Sequence, residues 1–455
     1  MEAALTTPAP RSRLTADDLF APFANAYTPE ALWRVGTEAE KFGVLSESGQ
    51  AIAYDGPRGV HAVLELMQEL FGWYPVREQA GGEIIALERG GESITLEPGG
   101  QVELSGAPHA SIHDSAREWY NHLNELNQVG QRLGITWLGL GFHPFAQQSD
   151  LPWVPKLRYA VMREYLPTRG ALGLDMMRRT CTVQANLDYA NEADAMRKLR
   201  VSLRLSPVVT AMFANSPLVE GRFTGERSHR ARVWLNTDPD RTGLLPFMWD
   251  EHASFERYVD WALDIPMFLI KREGRVVHNT GQTFRAFMRD GFQGAEATPA
   301  DWSMHLGTLF PEVRLKKTIE LRGADCLPRA LVPALPALAK GLLYDARALA
   351  KAELLAAQIA PHDALAVRPQ IADEGLAAQL GGRSLREWAE DVLDIARGGL
   401  RNAALIDPES GRDESCYLEP LADLIERDLT PADALREKLD PSANLVTQVL
   451  ELARL

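Results

Sequence analysis

Two glutamates one residue apart carry the first candidate chemistry in the chain. Residues 31–43 read ALWRVGTEAEKFG, in which Glu38 and Glu40 alternate with Thr37, Ala39 and Lys41 in an otherwise largely apolar stretch. Because successive side chains of a strand point to opposite faces, a strand here would place both carboxylates on one face. Glutamate is a weak strand former, so two acids on one strand face require an explanation by solvent or by a ligand.

Polar side chains also alternate with apolar ones in segments far along the chain. Within residues 83–108, breaks at 90–91 and 98–100 separate three short strand-like runs, which is typical of an antiparallel meander. Residues 179–189 and 313–325 show the same alternation, each as one strand with an apolar and a polar face. The polar faces of these segments include Glu97, Glu103, Thr182, Gln184, Glu320 and Arg322.

These polar faces have two interpretations. An antiparallel sheet with one face in water explains alternation in any single strand. A concave sheet lined with carboxylates would instead require cations, because like charges held close together repel. The repeated use of Glu, Gln, Asn and Thr favours the second interpretation. Oxygen donors indicate Mg²⁺, with Mn²⁺ as the alternative, and argue against zinc.

Magnesium in proteins commonly bridges to phosphates, so this interpretation points to nucleotide chemistry. The sequence contains no G-x-x-x-x-G-K-[ST] phosphate-binding loop. Three arginines outside the strands, Arg158, Arg230 and Arg241, lie in segments where an anion could be bound. Arg230 is followed by alternating residues that predict a strand. Arginine suits bidentate capture of carboxylates and phosphates, and the alternative for each is a surface ion pair.

The charge balance excludes several classes of partner. The 455 residues include 48 basic and 62 acidic side chains, a net charge of −14. Duplex nucleic acid and anionic membranes attract clustered positive charge, so neither is an expected partner. Three scattered cysteines predict neither a disulfide framework nor a zinc site. The N-terminal segment lacks signal-peptide features and no apolar stretch could cross a bilayer, so a cytoplasmic location is expected.

Strand-like and helical segments together indicate an α+β protein. Beyond about residue 330 the sequence becomes rich in Ala and Leu at helical spacing. In this part Ser384 is predicted to cap a helix that ends at the glycines 398–399. We expect an N-terminal arm over 1–30, a catalytic sheet with helices over 31–330, and a helical part over 331–455 packed on the same domain.

Several ordered blocks lie between about residues 31 and 345, namely GTEAEKFG, LEPGGQVELSGAP, GLDMMRRTCTVQANLDY, FANSP, DPDRTGLLPF, FPEVRLKK and ELRGAD. In these blocks the chain resembles the plant-type glutamate–cysteine ligases, which also occur in proteobacteria. The resemblance implies a curved, six-stranded antiparallel sheet that forms a cup, as in glutamine-synthetase-like carboxylate–amine ligases. It also implies that ATP, L-glutamate and L-cysteine give γ-glutamylcysteine, ADP and phosphate, with Mg²⁺ bound in the cup.

The resemblance also assigns roles to residues that match the family's motifs. It implies metal ligands at Glu38, Glu40, Glu97, Glu103, Gln184 and Glu320. It implies that Arg158, Arg230 and Thr182 contact the substrate, the arginines at its glutamate-like part. Arg241 and Arg322 are expected to be catalytic, as partners of phosphate or of the transition state.

The sequence departs from the family pattern at two kinds of position. Ala39 stands where the family usually has His, on the strand face opposite the two glutamates, so little loss of activity is expected. The plant enzymes have cysteines that form regulatory disulfides, whereas the aligned positions here include Ala116 and Asn279. The plant thiol switch should therefore be absent, and Cys181 is interpreted as a packed small apolar residue.

Three alternatives stay open at this point. A γ-glutamyl ligase with another amine acceptor would share the metal and glutamate sites. A non-catalytic glutamate or nucleotide sensor should lack one or more of the carboxylates, and a metal-dependent hydrolase would turn over without ATP. We expect the protein to be a monomer or a weak homodimer.

Overall fold

The computed structural model describes residues 14–79, 81–440 and 442–455 of the chain. The described residues include the helices α1 (Ala16–Ala24), α2 (Val60–Phe71), α3 (Ile112–Leu133), α4 (Leu157–Tyr165), α5 (Gly173–Arg179), α6 (Glu192–Met212), α7 (His229–Trp234), α8 (Phe255–Asp264), α9 (Phe284–Asp290), α10 (Pro299–Leu306), α11 (Ala334–Leu343), α12 (Ala346–Ala356), α13 (Pro361–Glu374), α14 (Leu385–Ala403), α15 (Glu419–Glu426), α16 (Pro431–Glu437) and α17 (Leu445–Leu452). They also include the strands β1 (Val35–Leu45), β2 (Tyr74–Val76), β3 (Ala86–Arg89), β4 (Glu92–Leu96), β5 (Val102–Ser105), β6 (Ile135–Leu138), β7 (Val183–Leu187), β8 (Leu218–Val219), β9 (Arg222–Phe223), β10 (Thr242–Gly243), β11 (Leu269–Arg272), β12 (Arg275–His278), β13 (Phe310–Pro311), β14 (Val313–Leu315), β15 (Ile319–Leu321), β16 (Gln379–Leu380) and β17 (Arg383–Ser384).

One antiparallel sheet of nine strands dominates the described residues. Its order is β14, β15, β7, β1, β5, β4, β3 and β2, and β6 pairs with the second half of β1. β1 is central because it pairs with β5, β6 and β7. The α+β class with a large antiparallel sheet is therefore confirmed, while the count of six strands is too low because short strands extend the sheet at both ends.

The sheet has an apolar face covered by helices and a polar face that is open to a cavity. Side chains such as Val102, Leu104, Val183 and Ala185 are buried on the apolar face. Helices α3 and α11 pack against β1 there, and α11 also packs against β7. Burial of this face supplies the main favourable term for folding. The same alternation leaves every second side chain on the opposite face, where the acids lie.

The predicted meander over residues 83–108 is confirmed. β3, β4 and β5 pair as consecutive antiparallel neighbours. The prediction of one strand over residues 313–325 is wrong, because this segment forms the hairpin of β14 and β15. Arg314 pairs with Glu320 across the hairpin, so the two residues still share a face.

The C-terminal part is helical, as expected, and packs on the sheet through α11. The capping box of Ser384 is confirmed at the start of α14. The predicted end of this helix at residues 398–399 is wrong, because α14 continues to Ala403. The second glycine serves helix packing instead: a Cβ atom at Gly399 would overlap the carbonyl oxygen of Gly341 in α11.

The N-terminal arm predicted over 1–30 lies partly outside the described residues, which begin at Leu14. Within residues 14–30 the structure has the short helix α1, capped by Thr15. Phe23 in this helix is fully buried and stacks near Phe255 of α8. The described portion of the arm is therefore packed against the same body as the sheet. Among the described residues, no helix is long and apolar enough to cross a bilayer.

Candidate functional site

A cavity of about 540 Å³ lies over the polar face of the sheet. Its floor is formed by β1, β4, β5, β7 and the β14–β15 hairpin, and its walls come from α4, α7, α10 and β11. Of the predicted site residues, the cavity is lined by Glu38, Glu40, Glu97, Glu103, Arg158, Thr182, Gln184, Arg230 and Arg322. Segments more than 280 residues apart in the chain therefore meet at one site.

The strand register brings the acids together. Glu40 of β1 pairs directly with Glu103 of β5, which places their Cβ atoms about 5 Å apart. Glu38, two residues earlier on β1, pairs with Ser105 on one side and with Gln184 on the other. Like charges directly opposite each other destabilise a sheet, so this arrangement is costly unless a cation joins it.

Few hydrogen bonds offset these charges in the described residues. The backbone N–H of Thr182 donates to Glu40 Oε2 at 2.9 Å, and Asn186 Nδ2 donates to Glu38 Oε1 at 2.9 Å. The hydroxyl of Thr95 donates to Glu103. No side-chain cation lies within ion-pair distance of these three acids in the part of the chain described.

Burial and mutual repulsion shift the acid–base behaviour of this group. Burial, together with the charges of Glu320 and Glu103, raises the pKa of Glu38 to about 8. Burial and the neighbouring acids also raise the pKa of Glu40 and the pKa of Glu103. Ionisation of these carboxyl groups is therefore disfavoured, and a divalent cation would offset that cost.

The donor set fits a hard divalent cation that brings other ligands with it. Carboxylate and amide oxygens are the ligands of Mg²⁺. In the described residues, however, no three His, Cys, Asp or Glu side chains are already arranged to grip a single ion. Water or phosphate oxygens would have to complete each coordination shell, which is usual for Mg²⁺.

Glu320 differs from the other acids because cations surround it. Its carboxylate accepts two hydrogen bonds from Arg314, at 2.6 and 2.8 Å, and one from Arg322 at 2.6 Å. Lys316 lies 3.5 Å away. Although burial opposes ionisation, these cations hold the pKa of Glu320 below its usual range. Glu320 is fully buried beneath the residues that line the cavity, so its predicted role as a metal ligand stays a prediction.

Gln184, another predicted metal ligand, is hydrogen-bonded to an arginine side chain in this structure. Its side-chain oxygen accepts a hydrogen bond from Arg322 Nη1 at 2.7 Å. That oxygen is therefore shared between an arginine and any ion that enters, so ligation by Gln184 also stays a prediction.

Arg230 reaches the cavity from a helix, so the predicted strand at this segment is wrong. Ser228 caps α7, and the guanidinium of Arg230 donates to the carbonyls of Arg322 and Gly323 at 2.9 and 3.3 Å. The buried carboxylate of Asp325 lies 3.8 Å from Arg230 and accepts a hydrogen bond from Ser228. Asp325 thus ties the cap of α7 to the end of the sheet, a role that alternation in the sequence did not reveal.

Arg158 lies at the start of α4 and is exposed within the cavity wall. It donates to the hydroxyl of Tyr159 at 3.4 Å. The neighbouring ammonium of Lys156 donates to the carbonyl of Leu96 at 2.8 Å. Burial and the charge of Arg158 lower the pKa of Lys156 to about 8. Sequence reasoning missed Lys156, although its position two residues before Arg158 was a usable signal.

Like Glu320, Arg241 is a predicted site residue that does not line the cavity. Its side chain is fully buried and pairs with Asp238 at 2.6 Å. Its remaining nitrogen donors bond the carbonyls of Pro266 and Thr308, and its guanidinium stacks on Phe268. Because Phe268 and Thr308 line the cavity, Arg241 supports the wall from behind, and direct contact with phosphate is not available to it here.

Thr182 lines the cavity beside Glu40, as predicted for a residue near the substrate. Its hydroxyl donates to the carbonyl of Ala324 at 2.6 Å. The side chain therefore helps to join β7 to the segment after β15, and its contact with substrate stays a prediction.

Residues 34–449 match the family model described as Glutamate-cysteine ligase family 2 (GCS2). The chain is 43% identical over 427 residues to the chloroplastic glutamate–cysteine ligase of Brassica juncea, covering 93% of this chain and 81% of that protein. It is 42% identical to the Arabidopsis thaliana enzyme of the same name over 427 residues, covering 93% and 80%.

The fold resembles the crystal structure of a glutamate–cysteine ligase from Francisella tularensis in complex with AMP. The two structures superpose with a TM-score of 0.58 at 14% identity, over 92% of this chain and 87% of that one. At this identity the likeness concerns the fold alone. The expected cytoplasmic location is contradicted, because these curated relatives are chloroplastic enzymes.

Proposed function

We propose how this cavity works from one premise: the chain belongs to glutamate-cysteine ligase family 2 and is a glutamate–cysteine ligase. The enzyme joins the γ-carboxylate of L-glutamate to the amine of L-cysteine at the expense of ATP. The products are γ-glutamylcysteine, ADP and phosphate, and the reaction is the first step of glutathione biosynthesis.

The acidic side of the cavity receives the metal and the nucleotide phosphates. Glu38, Glu40, Glu97 and Glu103 would hold Mg²⁺, and a cation would offset the burial and mutual repulsion that raise the pKa values of Glu38, Glu40 and Glu103. Bound Mg²⁺ would supply positive charge to the phosphate oxygens and align them for an in-line displacement. Mn²⁺ has similar ligand preferences and is expected to substitute.

The arginine side of the cavity receives glutamate. Arg158 enters the cavity from α4 with Glu97 among its charged neighbours, and Arg230 enters from α7 with Glu40 among its own. A guanidinium group suits a carboxylate, and glutamate has two carboxylates, so each arginine would attract one of them. This arrangement would leave the γ-carboxylate of glutamate directed toward the phosphate end of the nucleotide.

The first chemical step is phosphoryl transfer. An oxygen of the glutamate γ-carboxylate attacks the γ-phosphorus, the bond to the bridging oxygen breaks, and ADP departs with the bonding electrons. The product is γ-glutamyl phosphate. Arg322, which is fixed by Glu320 and Gln184, would offset the charge on the transferring group.

The second step forms the amide bond. The cysteine amine attacks the acyl carbon, the carbon–oxygen bond to phosphate breaks, phosphate leaves with the bonding electrons, and the nitrogen releases one proton. Water competes for the same acyl phosphate, so the cavity must exclude it during both steps. The segments 143–172 and 222–230 border the arginine side and are the expected places for closure.

The observation that carries this proposal is the convergence of four carboxylates and four arginines on one cavity. Phosphate release from ATP should require glutamate and should depend on Mg²⁺. Addition of cysteine should complete the reaction, because its amine displaces phosphate from the acyl phosphate. Phosphate release that needs neither glutamate nor cysteine would contradict the proposal and favour a hydrolase. A panel of other amines, tested with ATP and glutamate, would identify a different acceptor.

A further inference from the structure

Lys316 lies in the turn between β14 and β15 and lines the floor of the cavity. Its side chain lines the cavity, while that of the next residue, Lys317, is exposed and outside the lining. The Lys316 ammonium has Glu320 as its nearest acid, at 3.5 Å. An ammonium has three donors, so most of its hydrogen-bonding capacity is available to a ligand.

The backbone of this turn is well anchored, which fixes the base of the Lys316 side chain. The N–H of Lys316 donates to the carbonyl of Thr318 at 2.9 Å, and the hydroxyl of Tyr189 donates to the Lys316 carbonyl at 3.0 Å. The hydroxyl of Thr318 donates to Asn186 at 2.9 Å. The turn is therefore held by Asn186 of β7 and by Tyr189, which follows β7, and only the flexible side chain has to adjust to a ligand.

The charges of the hairpin do not balance within the described contacts. Within ion-pair distance Arg314, Lys316 and Arg322 share one carboxylate, that of Glu320, and the carboxylate of Glu38 is their other charged neighbour. Arg314 uses its donors on Glu320 and on two backbone carbonyls, so it is occupied internally. Arg322 keeps Nε and Nη2 without an acceptor among the described residues, and the contact of the Lys316 ammonium with Glu320 is long, at 3.5 Å. Three cations therefore face the two carboxylates of Glu320 and Glu38, which leaves one positive charge in excess at the cavity lining.

We propose that Lys316 is a catalytic residue whose ammonium contacts the transferring γ-phosphoryl group and offsets the charge on its oxygens. The proposal rests on the proposed function of the cavity. In the step, the glutamate oxygen bonds to phosphorus while the bond to the bridging oxygen breaks and ADP leaves with the electron pair. Lys316 keeps its proton throughout and contributes charge and position alone.

The neighbouring lysines provide a matched test. In K316M, kcat should fall by about 10²–10³-fold, the range seen when one fixed donor to a developing charge is removed. The KM values for glutamate and cysteine should change little, because those substrates bind elsewhere in the cavity. In K317M, which loses the same charge one residue away, kcat should stay within about threefold of wild type, as for most surface substitutions.

Two further measurements separate catalysis from folding. The melting temperatures of K316M and K317M without substrates should be alike, and K316R should recover part of the activity because it restores the charge. If K316M melts at a lower temperature than K317M, the activity of K316R distinguishes the two explanations. A role that depends on charge predicts that K316R recovers activity, whereas a packing role does not. A K316M variant with the kcat of K317M, or a K316R variant no better than K316M, would overturn the inference.

The wild-type assay distinguishes this inference from its premise. Suppose that the wild-type enzyme releases phosphate only with glutamate and cysteine, and that K316M is active. That result contradicts the role of Lys316 but leaves the proposed function intact. Wild-type enzyme without such release contradicts the proposed function and this inference together.

Discussion

At the scale of single residues, the acids of the cavity are unusual because their charges are left nearly uncompensated. Glu40 and Glu103 face each other across adjacent strands, and Glu38 lies two residues from Glu40. Glu320, by contrast, is neutralised by two arginines and a lysine. The first three therefore form the part of the site that most needs a cation.

Substituting Glu38 tests this need. In Glu38→Gln the turnover at saturating Mg²⁺ should fall by orders of magnitude, because one charged oxygen ligand is lost while the side chain keeps its shape. The steady-state assay should be accompanied by circular dichroism to show that the fold survives. Glu88→Gln, on an exposed position of the same sheet, is the matched control and should remain active. Near-wild-type activity of the Glu38 variant would exclude Glu38 as a ligand.

The pH dependence of stability tests the same group without turnover. The pKa of Glu38 is about 8 in the folded protein without a metal ion, whereas an unperturbed glutamate has a pKa of 4.5. Between these values the folded state holds a proton that the unfolded state has lost, so stability falls as pH rises. With a chelator present, the melting temperature of Glu38→Gln relative to that of wild type should therefore rise steadily from pH 5 to pH 8. A difference that does not change with pH would contradict the raised pKa.

At the scale of elements, close helix packing explains a glycine pair that resembles a helix stop. Gly399 of α14 faces Gly341 of α11, where backbones touch, whereas Gly398 is exposed with free space around it. Helix α11 in turn covers β1 and β7, whose other faces carry the site. The contact between the two glycines therefore supports the floor of the cavity from behind.

The two glycines allow a paired substitution. Gly399→Ala should destabilise the protein by about 1–3 kcal/mol, because the added methyl group overlaps a carbonyl oxygen of α11. Gly398→Ala should stabilise it by about 0.5–1 kcal/mol, since alanine has the higher helix propensity at an open position. Chemical denaturation of both variants would measure the difference. Equal effects of the two substitutions would show that the helices do not pack as described.

At the scale of the whole molecule, the positions of the three cysteines bear on regulation. Cys181 and Cys326 are fully buried, Cys416 is partly buried, and all three are free thiols. The resemblance implied that Ala116, in α3, and the buried Asn279 stand where plant enzymes have regulatory cysteines, and this correspondence stays a prediction. A monomer or weak homodimer stays a prediction at this scale.

Reductant should therefore have little effect on this enzyme. Activity measured with and without dithiothreitol should be nearly equal, because the paired cysteines of the plant thiol switch are missing. As a control, the wild type and a Cys416→Ser variant would both be assayed after treatment with an oxidant. A difference between their activities would reveal damage to the more accessible thiol. A large gain of activity on reduction would contradict this interpretation of the cysteines.

The sequence by itself determined the strand faces and the chemistry of the site. A strand alternates with a period of two, which is a local property, so Glu38, Glu40, Glu97 and Glu103 could be assigned to polar faces before their strands were known to be neighbours. The resemblance of the motif blocks then indicated the fold and the reaction. The family match and the shared cavity agree with both.

The tertiary structure decided what depends on contacts between distant segments. Local alternation predicted a strand at Arg230, but Ser228 caps a helix there because Asp325 binds that cap from a segment almost 100 residues away. Arg241 turned inward because Asp238 and two carbonyls occupy its donors. The surplus charge at Lys316 appeared only when the hairpin closed, since charge balance in a site is a property of the neighbours that folding assembles.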